Sequence, residues 1–342
     1  MNKFLTTGAA LLLTTTSAFA AGLDRSGQSI GVIFEEGNYA ELSFGSVTPS
    51  VSSAALGGAN MAPSYTQFGF AYKHQFDENL SLSLIVDQPY GADVAYVGLP
   101  IAGVIDSLGI TAVGRYEVNE NISFHAGLRF LQTSGELTLG GFSNTYDPAS
   151  GTGYLIGAAY ERPDIALRVA LTYSSAIEIT HDGVLAPTTL VAAFPQSVNL
   201  DFQTGVAADT LVFGSIRWAE WSAASLTESF PAVGQFYAPS NDGMTYNIGV
   251  GRRFSDNLSG SITIGYEAAQ GGIASPFAPT DGNLSLQVGA AYTLDSGVEV
   301  SGGVRYIHIG DATADFTPFG GGPADFTDNS AVAVGLKVAY NY

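Results

Sequence analysis

The sequence has no cysteine, 12 basic residues against 31 acidic ones, and no uninterrupted apolar run of 18 residues. Each shortage excludes something. Without cysteine there is no disulfide framework and no thiolate metal site. A net charge of -19 argues against nucleic acid as a partner. Many of the acids fall in connections, among them Asp147, Asp182, Asp242, Asp281, Asp311 and Asp325. Solvated acidic loops explain them. Without a long apolar run, no membrane-spanning helix is encoded, although 46% of the residues are hydrophobic.

What is present is alternation. In the last segment Val332, Val334, Leu336, Val338, Tyr340 and Tyr342 share one face, and Ala331, Ala333, Gly335, Lys337, Ala339 and Asn341 share the other. Successive side chains of a strand point to opposite faces. One face is therefore greasy and the other small and polar, with the only lysine of the segment on the small side. A soluble β-sandwich would have to bury that face. A barrel whose outside touches lipid would not.

Residues 1–20 read as a secretory signal peptide, with Lys3 as the basic start, Phe4 to Leu13 as the mostly apolar stretch and Ala18-Phe19-Ala20 as the cleavage site. The mature chain is expected to begin at Ala21. The apolar stretch is too short to serve as a transmembrane helix.

Fourteen candidate strands follow, at 39–48, 65–76, 80–90, 110–118, 121–135, 153–161, 165–180, 197–207, 210–223, 244–254, 258–268, 283–294, 298–309 and 331–342. Short turns such as Asp77-Glu78-Asn79 and Ser255-Asp256-Asn257 alternate with long loops at 49–64, 91–109, 136–152, 181–196, 224–243, 269–282 and 310–330. Val104, Ile105 and Leu108 suggest a short helix in loop 91–109. The pattern predicts an all-β, 14-stranded antiparallel transmembrane β-barrel over 39–342, with short turns on the periplasmic side of a bacterial outer membrane. Aromatic residues near strand ends, such as Tyr116, Trp218 and Tyr266, read as girdle residues at headgroup depth. The loops are rich in Gly, Pro and Phe, which suits capture of greasy ligands.

Parity sorts the lumen. Ile122, Phe124, Ala126, Leu128 and Phe130 face lipid, so Ser123, His125, Gly127, Arg129, Leu131 and Thr133 face inward. The same parity turns Arg115, Arg168, Arg217, Arg253, Arg305 and Lys337 inward, with Asp87, Glu267 and Glu299. A cation on the lipid face at mid-depth costs about 2–4 kcal/mol. Counted out from the short turns, Arg129, Arg217 and Arg305 lie deep. An anionic ligand group buried in a barrel, such as a carboxylate, needs a partner, and arginine offers a bidentate one. These three, with His125 as helper, are the candidate head-group site. A lumenal network of arginines with Glu299, Glu267 or Asp87 that merely supports the barrel is the alternative.

Four stretches carry a resemblance: Asp87-Gln88-Pro89-Tyr90-Gly91, Gly114 to Ser123, Arg168 to Ser175, and Arg217-Trp218-Ala219-Glu220-Trp221-Ser222. In that order along fourteen strands, the chain resembles the FadL/TodX outer-membrane transporters of long-chain fatty acids and other hydrophobic compounds. The resemblance implies a barrel closed by an N-terminal hatch, and a ligand path that leaves sideways into the membrane. It also implies that basic side chains hold a ligand carboxylate. Family hatches are usually longer and end in Asn-Pro-Ala. Here the segment is only 21–38 and ends Phe34-Glu35-Glu36-Gly37-Asn38.

Within that plug, Ser26 could cap a short helix bearing Ile30, Ile33 and Phe34 on one side; a disordered tail is the alternative. Proline inside a sheet removes a ladder hydrogen bond. Pro89 either starts a loop or, with Gly91, kinks the third strand and opens the wall, which is the reading the resemblance favours. No HExxH or GxSxG motif stands out, so no catalytic residue, metal or cofactor is expected. The expected partners are a hydrophobic small molecule and outer-membrane lipid, around a monomer. A general diffusion porin and a lipid-modifying enzyme are the competing functions.

Overall fold

Alternation is obeyed strand by strand. Leu128 is 73% exposed on the outside of the barrel and its neighbour Arg129 is 6% exposed inside. The computed structural model describes residues 23–319 and 321–342, so the expected signal peptide and the expected start at Ala21 lie outside the described residues. The barrel strands are β1 (Tyr39–Ser50), β2 (Tyr65–Gln75), β3 (Leu80–Asp87), β4 (Ile101–Asn119), β5 (Ile122–Leu139), β6 (Phe142–Arg162) and β7 (Leu167–Ser174). They continue as β8 (Ser197–Ala207), β9 (Thr210–Ala219), β10 (Gly243–Arg253), β11 (Leu258–Glu267), β12 (Asn283–Thr293), β13 (Val298–Ile309) and β14 (Ser330–Asn341). Each pairs antiparallel with its sequence neighbours, and β1 closes on β14 from Tyr39↔Asn341 to Ser50↔Ser330. The fold class is the 14-stranded antiparallel barrel the alternation predicts. Leu42, Phe44, Ile248, Ile262, Leu286 and Val334 belong to an exposed apolar outer band. That is the surface a barrel offers to lipid.

The long-loop end departs from expectation. Segment 91–109 holds no helix. It is the strand Gly91–Ala95 followed by the start of β4. Segment 136–152 is the tall end of the β5–β6 hairpin, whose register shifts between Thr133 and Gly135. Asp147 and Pro148 sit in that bulge, where a proline costs no ladder bond. The strand expected over 165–180 breaks after Ser174. Its second half, Ile177–Asp182, joins Thr189–Phe194, Ser225–Glu228 and Gln235–Tyr237 in a separate four-stranded sheet. Alternation could not reveal the break, because both halves have one buried face. Ile273–Ala274, Ala312–Asp315 and Pro323–Phe326 form a further small sheet. Leu190, Phe194, Trp221, Leu226, Phe316 and Phe326 of these caps share one core with Leu131 and Ile307 of the barrel.

At the short-turn end a second core forms. Ile30, Val32, Ile33 and Phe34 of the N-terminal segment pack inside the barrel on Ala71, Val113, Leu155, Ala159, Ala170 and Ala339. Among its described residues the segment contains a single 3-10 turn, Gly31–Phe34, with no side-chain cap. Ser26 instead accepts the Gln28 N–H at 3.2 Å and donates to Asp87. Small alanines on the wall leave the room that the plug fills.

Candidate functional site

Beyond β3 the wall is broken. β3 stops at Asp87 opposite Gly109, and the chain resumes at Gly91 opposite Asp106. The chain thus takes four steps where its partner takes three, and it kinks. On the other flank the last β2–β3 pair is Phe70↔Val86. Phe68 N–H is met instead by the side-chain oxygen of Gln88 at 3.0 Å. Pro89 has no N–H to offer. Residues 65–68 of β2 keep partners in β1 but have none across the kink among the described ladder pairs.

The hatch takes up the freed backbone. Arg25 N–H donates to Pro89 O at 2.8 Å, Gly91 N–H donates to Leu23 O at 2.9 Å, and Asp24 bridges Tyr90. Gly91 matters here for its missing side chain, since a Cβ there would collide with the Arg25 guanidinium. That buried guanidinium lies 4.3 Å over the Tyr65 ring and 3.6 Å from the Asp106 carboxylate. Arg25 therefore stands in the gap between β2 and the kinked strand.

Lumenal arginines hold the rest of the hatch. Arg217 grips Asp24 with two nitrogens, Nη2 at 3.0 Å from Oδ2 and Nε at 3.1 Å from the same oxygen. Its third nitrogen donates to Asn199 at 2.9 Å, and Asn199 in turn donates to Gly27 O at 3.2 Å. Arg129 donates to Gln28 Oε1. Two cations lie over the Phe34 ring, Arg115 at 4.8 Å and Arg168 at 4.5 Å from its centre, with His125 packed edge-on to it. His125 Nε2 is 2.9 Å from Thr172 Oγ1. Lys73 Nζ donates to Glu35 O. Burial pushes the Glu35 carboxyl up to about 7, against the opposing pull of Lys337 and Arg168.

Of the three deep arginines, Arg129 and Arg217 thus meet the hatch. Arg305 stays on the wall, donating to Ser285 Oγ at 2.8 and 3.0 Å and to Asn247 Oδ1 at 3.3 Å. None of them forms an ion pair with Glu299, Glu267 or Asp87 among the described residues. Sequence reading overlooked Asp24 and Arg25. The available signal was that Arg25 is the only basic residue of the 21–38 segment and stands directly beside an acid.

Two cavities flank the hatch. Above Leu23 a small apolar one is lined by Ile105, Leu190, Leu226, Tyr237 and Phe277, with no cation in its lining. The fully buried rings of Tyr90 and Trp221 belong to the same core, Tyr90 stacked on Phe194 at 4.5 Å. A larger cavity of about 220 Å³ lies between the hatch and the wall of β1, β2, β3 and β14, and reaches Gln88 at the kink.

No family model and no curated protein matches this sequence. The fold does match. The structure of a FadL homologue from Pseudomonas aeruginosa superposes with a TM-score of 0.75 at 13% identity, over 90% of this chain and 91% of that one. The chain has the FadL/TodX barrel fold. The P. putida toluene transporter TodX gives 0.67 at 13% identity over 91% of this chain and 92% of its own. The monoaromatic hydrocarbon channel CymD gives 0.63 at 16% identity over 91% and 90%. Within this FadL/TodX-like barrel, Pro89 and Gly91 flank the wall break, and Ile30, Ile33 and Phe34 are buried in its floor.

Proposed function

We propose that this protein carries hydrophobic small molecules across a bacterial outer membrane, and that the ligand leaves sideways through the break beside β3. The observation that carries this reading is the lost β2–β3 ladder, stoppered by a hatch residue rather than by strand. An apolar ligand gains about 0.8 kcal/mol per buried CH₂. Release into periplasmic water forfeits that gain, and release into lipid keeps it. A closed barrel has no lateral exit, because every strand is paired on both sides. The signal peptide, the mature start at Ala21, the apolar outer band and a monomeric barrel in lipid fit the same reading. The seated plug argues against a general diffusion porin, and no catalytic step is part of the proposal.

Long-chain fatty acids are one ligand class, with Arg129, Arg217, Arg305 and His125 as the head-group candidates. A carboxylate reaches Arg217 only in exchange for Asp24, because two of its nitrogens are already on that acid. Neutral hydrocarbons need no such exchange. The test is uptake of a labelled fatty acid and of toluene by cells carrying wild type or Pro89→Val at matched outer-membrane expression. Valine can donate the missing hydrogen bond, so uptake of both ligands is expected to fall. Unchanged uptake of both would reject lateral exit in favour of a straight path past the hatch.

A further inference from the structure

The 220 Å³ chamber beside the hatch is open where barrel walls usually carry side chains. Gly45 faces Gly335 across β1 and β14, Gly335 faces Gly303, and Gly303 faces Gly289. These four glycines form one register row across four adjacent strands. None of the four has a left-handed backbone. A Cβ on Gly45 would approach only Val334 O, at 3.8 Å. Neither conformation nor packing demands glycine at that position, and glycine in a strand interior is destabilising. What its absent side chain leaves is the chamber itself.

Two polar groups that line the chamber are buried and unpartnered. Gln67 is 7% exposed with Oε1 free of any hydrogen bond, and Ser301 is 1% exposed with Oγ likewise free. Leaving buried polar atoms unpaired costs stability, so each one calls for an explanation. The cations are otherwise engaged. Arg217 holds Asp24, Lys337 holds Glu41 at 3.2 Å, and Arg168 donates to Gln203 at 3.0 Å while facing Phe34. Acids outnumber cations around the chamber, and Asp201 adds a further carboxylate. Both unpartnered buried atoms are neutral, and much of the remaining surface is apolar, from Ile30, Val32, Val47, Ile85 and Phe213.

We propose that this chamber is a second binding site, on the exit side of the hatch, for neutral ring compounds that carry one hydroxyl, such as a phenol. A hydroxyl both donates and accepts, so it satisfies the Gln67 amide in either orientation. Gly45 and Gly335, the two glycines of the row that line the chamber, give a flat ring a smooth face. The proposal rests on the transport reading for its purpose, but binding to purified protein tests it separately.

The experiment measures binding of p-cresol, p-xylene and p-toluate to the purified full-length barrel. These probes differ only in one substituent on the same ring. The phenol is expected to bind about fivefold more tightly than the hydrocarbon, the yield of one neutral hydrogen bond. The carboxylate is expected to bind weakest. Gln67→Leu should erase the preference for p-cresol and leave p-xylene unchanged. Gly45→Leu, which fills the chamber, should weaken both. Heat-modifiable migration on gels would show that each variant is folded. Tightest binding of p-toluate, or a phenol preference that survives Gln67→Leu, would overturn the site. If p-xylene binds as expected yet wild-type cells do not take it up, the transport reading fails while the site stands.

Discussion

Removing the Asp24 carboxylate should loosen the hatch at its leading edge. Asp24 and Arg217 are both buried, at 5% and 7% exposure, and two arginine nitrogens contact the acid. Taking away one partner of such a pair leaves the other charge buried and unpaired, which costs about 3–5 kcal/mol. Asp201 is near enough to Arg217 to be felt electrostatically and would recover part of that. About 3 kcal/mol is therefore the expected loss for Asp24→Ala, or roughly two orders of magnitude in the local opening equilibrium. The Gly91 amide reports it directly, because its hydrogen bond goes to Leu23 O in the same segment. Hydrogen exchange at Gly91 should accelerate by about that factor, while amides of β13 and β14 stay protected. Arg217→Ala should have a similar effect, and the double variant should lose much less than the sum of the two. If exchange at Gly91 is unchanged in Asp24→Ala, or if the two single losses simply add, the ion pair does not hold the hatch.

Further expectations follow from the same contacts. Cysteine at Gly141, in the turn of the tall hairpin, should react with an impermeant reagent on whole cells, and cysteine at Asn257, in a short turn, should not; the reverse would invert the topology. Glu35 binds its proton more tightly in the seated hatch than in water, so seating should be strongest below about pH 4.5 and weaken as pH rises to about 7, then level off. The total change is at most about 3 kcal/mol and is reduced by the partial exposure of the residue. Hatch exchange measured from pH 5 to 8 should show this slope in wild type and lose it in Glu35→Gln; a slope that persists in the variant would assign it elsewhere. Phe34→Ala removes a ring in contact with Arg115 and Arg168, and protease access to the plug should rise from the short-turn side; unchanged access would show that the other plug contacts suffice.

Much of the barrel was legible in the chain. The two-residue period assigned the lumenal face of β5 residue by residue, because a cation facing lipid is costly and alternation leaves it only one other place to go. Short turns were legible because Asn, Asp and Gly supply the backbone angles that tight turns need. The caps were not legible. Ile177–Asp182 alternates as β7 does, and only its neighbours reveal that it left the barrel. Pro148 read as loop because a bulge that tolerates proline is a property of two strands together.

The candidate site divides in the same way. Pro89 marked a break from the sequence alone, since no proline can complete a ladder. The sequence by itself also determined which arginines face the lumen. It did not determine what they face. Arg217 meets Asp24, Phe34 meets two guanidiniums, and Arg25 stands in the wall gap only because closure of the barrel brings the plug against strands far away in the chain. Periodicity is a local property that each strand carries within itself. Partnership across a lumen exists only once all fourteen strands have closed around the hatch.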